Sequence, residues 1–296
     1  MFSNKQVSPG YFIPDRFKNK TILITGAASG MGAAAATRAA REGARVACVD
    51  RRAKELDATV KRLKADGHEV LAIMGDVSKT ADADRMVDET VRAFGSIDMA
   101  INGAGIFEAL GYDKPVDYAK DGRLLPSPIH LAHDDYWEAI IATNLTGVFK
   151  SLRAELRQMI KQGKGGSIVN IGSVAAIVGT PGNPAYASSK HAVTGITRNA
   201  AIDYAPYGIR VNSVNPPATD TPMIHRVYEV NEAAKKAGKG SAAPGGHLGS
   251  LIQQNDRDHR MSTAWEQVAT MLYLLSDESS DLTGGIFPTD GGASTY

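Results

Sequence analysis

The five residues Tyr186-Ala187-Ser188-Ser189-Lys190 are the part of this sequence best equipped for chemistry. On a helix, Tyr186 and Lys190 are one turn apart and share a face. A free phenol titrates near ~10, so a tyrosine acting as a base near neutral pH needs a shift of roughly three units, about 4 kcal/mol of favourable charge and hydrogen bonding. The Lys190 ammonium, with a cationic cofactor ring, is the expected source. Ser173 stands thirteen positions upstream, after the apolar run 167–172, and can donate a hydrogen bond to a substrate oxygen. These groups are equipment for moving a proton on or off an alcohol. A tyrosine and a lysine four apart also occur as an ordinary solvated pair. The weight of the reading therefore rests on the motifs around them and on their order.

Such a site needs a cofactor, and the start of the chain offers a place for one. A predicted strand, 21–25, runs into Thr25-Gly26-Ala27-Ala28-Ser29-Gly30-Met31-Gly32, which opens into a helix. Gly26, Gly30 and Gly32 allow a tight turn and close approach of a phosphate. The helix N-terminus at Ser29 and Met31 offers unpaired N–H groups and partial positive charge. Asp50 follows at the end of the second strand. Its carboxylate suits an adenosine ribose and repels a 2′-phosphate, which favours NAD over NADP. A helix N-cap is the other reading of Asp50, and Arg51 and Arg52 are cations that could hold a 2′-phosphate. Asp76-Val77 can hold the adenine edge or start the next helix. The small residues of Asn102-Gly103-Ala104-Gly105 let a dinucleotide lie against the backbone, or form a plain turn.

Elements that position these residues follow from the alternation of short apolar runs with longer amphipathic segments. Strands are expected at 21–25, 44–49, 69–74, 97–102, 167–171, 208–214 and 285–288. Helices are expected at 31–42, 53–66, 81–94, 134–162, around the Tyr–Lys motif, and at 263–275. This order predicts an α/β fold of Rossmann type, a doubly wound parallel sheet with helices on both faces and ligands at the carboxyl ends of the strands. One domain is expected over 20–296, with 1–19 as a tail lying over it or over a partner subunit. Two stretches break the rhythm. The segment 107–133 is an irregular insertion, equally a binding loop or a surface excursion. The segment 222–261 begins helix-like, loosens through glycines, and reads as a lid over the substrate.

Composition bounds the rest. The chain has 296 residues, 43% hydrophobic and 22% charged, with a net charge of +1. That balance gives no reason to expect nucleic acid or an anionic membrane as partner. No apolar run approaches the ~20 residues of a membrane helix. The single cysteine, Cys48, sits in an apolar strand and fits a reducing cytoplasm. The seven histidines form no His-Glu-x-x-His pattern, so no metal is expected.

Taken together, these motifs resemble the short-chain dehydrogenase/reductase family, in its single-domain oxidoreductase branch, from Lys20 to Gly292. The resemblance implies seven parallel strands and hydride transfer between a nicotinamide and an alcohol/ketone pair. By motif, Asn144, Ser173, Tyr186 and Lys190 match the family's catalytic residues. Asn144 would hold, through its backbone, a water that links the lysine to solvent. Gly26, Ser29, Gly30, Met31, Gly32, Asp50, Asp76, Val77, Asn102, Ala104 and Gly105 match the cofactor positions, together with Tyr186 and Lys190.

Pro216, Thr219 and Thr221 match a stretch that contacts the nicotinamide end. Two departures stand out. Gly103 replaces an asparagine and is expected to loosen the strand end. Pro217 replaces a glycine, fixing φ and removing an N–H. The run 174–178 would line an apolar pocket or belong to the core. A small or medium secondary alcohol or ketone is the expected substrate. A homotetramer, or a homodimer, is implied, packed through 134–162 and 183–205. The rival readings are a cofactor-recycling epimerase or dehydratase and a non-catalytic nucleotide sensor on the same fold.

Overall fold

Apolar runs followed by amphipathic segments assemble as the alternation predicts. The computed structural model describes residues 5–238, 251–255 and 259–295. The strands β1 (Thr21–Thr25), β2 (Arg45–Asp50), β3 (Val70–Met74), β4 (Met99–Asn102), β5 (Gly166–Ile171) and β6 (Ile209–Asn215) form the main sheet with β9 (Ile286–Pro288). Its seven strands run in the order β3-β2-β1-β4-β5-β6-β9, every pairing parallel. Two-residue strands β7 (Thr219–Asp220) and β8 (Ser262–Thr263) pair separately. Strand order reverses between β1 and β4, so the crevice beyond their carboxyl ends is where ligands of such sheets bind.

Strand side chains alternate between faces, and two cores result. Ile22, Ile24, Val46 and Cys48 join one core with the helices α1 (Gly30–Arg41), α2 (Ala53–Ala65) and α10 (Ala264–Leu275). Leu23, Ala47 and Val49 join the other with α3 (Thr80–Phe94), α6 (Gly147–Gln162) and α7 (Pro184–Tyr204). Burial pushes the Cys48 thiol up to about 12, so it behaves as a small apolar side chain.

The expected helix over 134–162 is interrupted. It divides into α5 (Asp134–Ile141), a π turn (Ala142–Thr146) and α6. The cause is local. Asn144 Oδ1 accepts from Ile106 N at 2.8 Å while its Nδ2 donates to Ile106 O at 2.9 Å. A wider turn brings that side chain to Ile106, in the segment that follows β4.

The stretch 107–133 contains only α4 (Tyr118–Asp121) and two 3₁₀ turns. It is nonetheless packed: Leu110 and Leu125 share a buried cluster with Val230 of α8 (Pro222–Lys236). The helical start expected at 222 is α8. Of the expected lid, the run 239–250 and residues 256–258 lie outside the described residues; α9 (Leu251–Asn255) follows the first of these gaps. The N-terminal segment docks on α1. Phe17 is buried, and Arg16 Nε donates to the buried Glu42 at 2.6 Å.

Candidate active site

The glycine turn is built by contact as well as by conformation. A Cβ on Gly26 would stand 2.7 Å from Gly103 O, and one on Gly32 would stand 2.2 Å from Gly26 O. The backbones of β1, α1 and the end of β4 therefore meet with no room for side chains. Ser29, the N-cap of α1, makes no side-chain cap bond. Its hydroxyl accepts from Arg52 Nη2 at 2.7 Å instead. The first-turn N–H groups are left to an anion, with the helix dipole behind them.

These residues line a first cleft with Met31, Asp76, Val77, Ala104, Gly105 and Thr221. Asp50 is buried at its wall. Its Oδ2 accepts from Ala28 N at 3.1 Å, and its Oδ1 accepts from Arg52 N at 3.0 Å. Asp50 is not the cap of α2, which starts after Arg52. Asp76 caps no helix either, since Lys79 precedes α3. Its Oδ1 accepts from Ser78 N at 3.0 Å. Cleft shape, free N–H groups and the Asp50 carboxylate fit a dinucleotide.

A second cleft shares Met31, Thr221 and Met223 with the first and runs on past Ser173, Tyr186, Pro216 and Thr219. Ser173 ends the loop after β5, and its Oγ accepts from Ala175 N at 3.1 Å. Its hydroxyl proton is directed toward Tyr186. Tyr186 lies two residues into α7, which Pro184 opens with its preset φ. The edge of Phe107 packs on its ring at 5.5 Å between centroids.

Burial pushes the Tyr186 phenol above its ordinary value, and its hydrogen bond with Ser173 pulls it back only partly. Lys190 Nζ lies 5.7 Å from the phenol ring centroid and donates to Ile171 O at 2.8 Å. Burial pushes its ammonium down to about 8. In the chain alone, removing the phenolate from water outweighs the hydrogen bond from Ser173.

Some expected residues sit elsewhere. Asn102 turns its side chain beneath the sheet, donating to Glu155 at 3.0 Å and to Asn170 at 3.1 Å. Asn144 is wholly buried and lines neither cleft. Gly103 does not loosen the end of β4: its N–H donates to Thr25 Oγ1 at 3.1 Å, and a Cβ there would stand 2.9 Å from Thr25 O. Pro217 lines the second cleft, and its carbonyl accepts from Thr219 Oγ1 at 3.0 Å.

Tyr112, Phe107, Thr180, Asn183 and Asn231 line the clefts without having been singled out from sequence. Asn183, directly before the helix-opening Pro184, carried the one available signal. Phe107, Tyr112 and Thr180 lie in irregular stretches, and Asn231 is one polar residue within α8.

Residues 20–232 match the family model for short chain dehydrogenase. This chain belongs to the short-chain dehydrogenase/reductase family. It is 36% identical over 291 residues to the 3beta-hydroxysteroid dehydrogenase of Mediterraneibacter gnavus, covering 97% of this chain and 99% of that one. It is 34% identical over 278 residues to the A-factor type gamma-butyrolactone 1'-reductase (1S-forming) of Streptomyces virginiae, covering 93% and 95%. Among solved structures, levodione reductase superposes with a TM-score of 0.79 at 32% identity, covering 94% and 99%. A short-chain dehydrogenase from Mycobacterium paratuberculosis bound to NAD superposes at 0.80 and 28% identity, covering 95% and 100%. This short-chain dehydrogenase/reductase is therefore an NAD(P)-dependent oxidoreductase acting on CH–OH groups. Among the described residues no helix is long and apolar enough to cross a membrane.

Proposed function

We propose an NAD-dependent dehydrogenase or ketone reductase for secondary alcohols, with Tyr186, Ser173, Lys190 and Asn144 as its working residues. The observation that carries this reading is that Ser173 and Tyr186 line one cleft, which joins the dinucleotide crevice at Met31, Thr221 and Met223. Tyr186 takes the hydroxyl proton in oxidation and returns it in reduction. Ser173, its oxygen already accepting from Ala175 N, donates to the substrate oxygen and steadies charge that develops there. Lys190 anchors to Ile171 O beside the phenol and would hold the ribose of a bound cofactor. Asn144 holds Ile106, and with it the strand end, while its backbone in the π turn supports a proton relay to Lys190. NAD, when bound, supplies the hydride acceptor and a cationic ring.

NAD is favoured over NADP by the commitment of Arg52. Its guanidinium reaches Asp50 Oδ1 at 3.4 Å and Ser29 at 2.7 Å, and stands 5.7 Å from the Tyr112 ring centroid. A 2′-phosphate would have to displace those contacts and face the Asp50 carboxylate. Among the described residues no His/Cys/Asp/Glu cluster could hold a metal. We place the enzyme in a reducing cytoplasm, in keeping with a free, buried Cys48. Phe149, Ile160 and Ile202 are exposed on α6 and α7, faces suited to a homotetramer or homodimer; sedimentation tests that assembly.

Activity with NAD and with NADP, measured over a panel of secondary alcohols and ketones, tests the reading. NADH formation that disappears in Tyr186→Phe is expected. Preference for NADP overturns the role given to Asp50.

A further inference from the structure

The first cleft is crossed by a contact between two segments that the sheet keeps apart. Arg52 follows β2, and Tyr112 lies in the stretch after β4; in the strand order β3-β2-β1-β4 the end of β1 separates them. Neighbouring strands run ~4.8 Å apart, so β2 and β4 are separated by roughly 10 Å. The Arg52 guanidinium nevertheless stands 5.7 Å from the Tyr112 ring centroid. Both residues line the first cleft. Its floor is closed, because the backbones of Gly26 and Gly103 meet with no room for a Cβ. The contact therefore passes above the glycine turn and bridges the crevice.

Each end of this bridge is fixed. On the β2 side, Arg52 donates to Ser29 Oγ at 2.7 Å and to Asp50 Oδ1 at 3.4 Å. On the other side, Gly111 directly precedes Tyr112 and has a φ of 101°, a conformation that favours glycine. Its N–H donates to Glu108 Oε2 at 3.0 Å, and its carbonyl accepts from Arg226 Nη2 at 3.1 Å. Arg226 belongs to α8, whose first residues Pro222 and Met223 line the same cleft. Tyr112 thus hangs from a braced roof. Electrostatics agree with this placement. Burial pushes the Tyr112 phenol above its ordinary value, Glu108 and Tyr186 add to the rise, and Arg52 and Arg51 oppose it. The phenol is within electrostatic reach of Tyr186 on one side and of the arginines after β2 on the other.

We propose that Tyr112 and Arg52 form a latch over the dinucleotide, and that opening it limits cofactor exchange. A dinucleotide that reaches from Asp50 to Tyr186 has to run beneath this bridge. To leave, it must part the ring from the guanidinium, which forgoes a partly desolvated cation–π contact. This inference rests on the dinucleotide reading of the first cleft and adds to it a residue that controls exchange.

The test is NADH release, followed by stopped-flow fluorescence as excess NAD displaces NADH from the loaded protein. Tyr112→Ala is expected to release NADH about tenfold faster than wild type. Association should be no slower, because a latch hinders entry as well as exit. Tyr112→Phe keeps a ring over the guanidinium and should stay within about twofold of wild type. In an Arg52→Ala background there is no guanidinium to hold, so Tyr112→Ala should speed release by less than about twofold.

Unchanged release in Tyr112→Ala, equal acceleration in both backgrounds, or a Tyr112→Phe variant as fast as Tyr112→Ala overturns the latch and leaves the dinucleotide reading intact. Slower association in Tyr112→Ala does the same, since it marks a damaged cleft. Failure of wild type to bind NADH overturns that reading and the latch with it.

Discussion

Glu108 and Arg226, 118 residues apart in sequence, meet at 3.1 Å with both side chains almost wholly out of solvent. Neither charge is left wanting. Glu108 Oε2 accepts from the N–H groups of Leu110 and Gly111, while Arg226 also donates to Gly111 O at 3.1 Å and to Glu229 at 2.9 Å. The pair bolts the stretch after β4 onto α8, next to the shared cluster of Leu110, Leu125 and Val230. It thereby holds Tyr112 in the first cleft and Phe107 against Tyr186.

Removing one partner leaves the other's buried charge without its counter-ion at 3.1 Å. Arg226→Ala and Glu108→Ala are each expected to cost about 3–5 kcal/mol of stability in urea unfolding, with the double variant costing less than their sum. Weaker NAD binding should accompany the loss, because Tyr112 is released. Additive losses would mean that the two residues act independently.

Tyr186→Phe keeps the ring packed against Phe107 and removes only the hydroxyl. Turnover is expected to fall by about 10²–10⁴ with little change in NAD affinity. Ser173→Ala should lower kcat by roughly 10²–10³, as does the loss of a donor to a developing oxyanion. If Tyr186→Phe kept wild-type kcat in a steady-state assay, the proton would be travelling by another route.

Titration of the phenol has a defined sign. Burial holds the proton on Tyr186, so in cofactor-free protein one tyrosine should ionise later than free tyrosine as pH rises. Ultraviolet difference spectra of wild type against Tyr186→Phe would isolate it. Adding NAD should bring that ionisation to lower pH, because a positive ring favours the phenolate. Alcohol oxidation, which needs the base form, should accelerate with rising pH; ketone reduction, which needs the acid form, should not. Ionisation of this tyrosine at or below the free value without NAD would contradict the dominance of burial.

What could be read in advance was what local physics decides. Gly26 and Gly32 were legible because strand, glycine turn and helix follow one another within a dozen residues, and Tyr186 and Lys190 because helix period alone puts them together. The sheet was legible from its apolar runs. Asn102 was expected at the cofactor and turns away, because its partners Glu155 and Asn170 lie 53 and 68 residues further on. The π turn at Asn144 depends on Ile106, 38 residues before it. The Glu108–Arg226 pair joins an irregular stretch to α8, 118 residues further on. Each miss is a long-range polar pairing, which leaves no repeat in the sequence.

Gly103 offers a direct test of one such contact. Its amide takes Thr25 Oγ1, and an added Cβ would meet Thr25 O at 2.9 Å and Ile171 Cδ1 at 3.0 Å. Gly103→Asn, which restores the residue common in the resembling family, should therefore destabilise this chain by about 1–3 kcal/mol, as overpacking does. NAD affinity should drop as well, since Gly103 lines the first cleft. Calorimetric melting and NAD titration check both; an unchanged melting temperature would show that β1 and β5 can move apart at no cost.

Glu155 makes a pH prediction that does not involve the site. It is wholly buried, and burial raises its carboxyl to about 7 against the pull of the Asn102 hydrogen bond. Glu155 Oε1 lacks a partner, and burial favours the protonated acid there. Between the ordinary glutamate value and about 7 the folded state binds more protons than the unfolded chain. Stability should therefore fall as pH rises through that window, by up to about 3 kcal/mol, and level off above it. Glu155→Gln places a permanent N–H where the acid proton stood. It should flatten this slope and unfold at higher urea than wild type at pH ~8, above the window. Equal pH slopes in the two proteins would mean that Glu155 is ionised in the fold and that the orphaned oxygen is met in some other way.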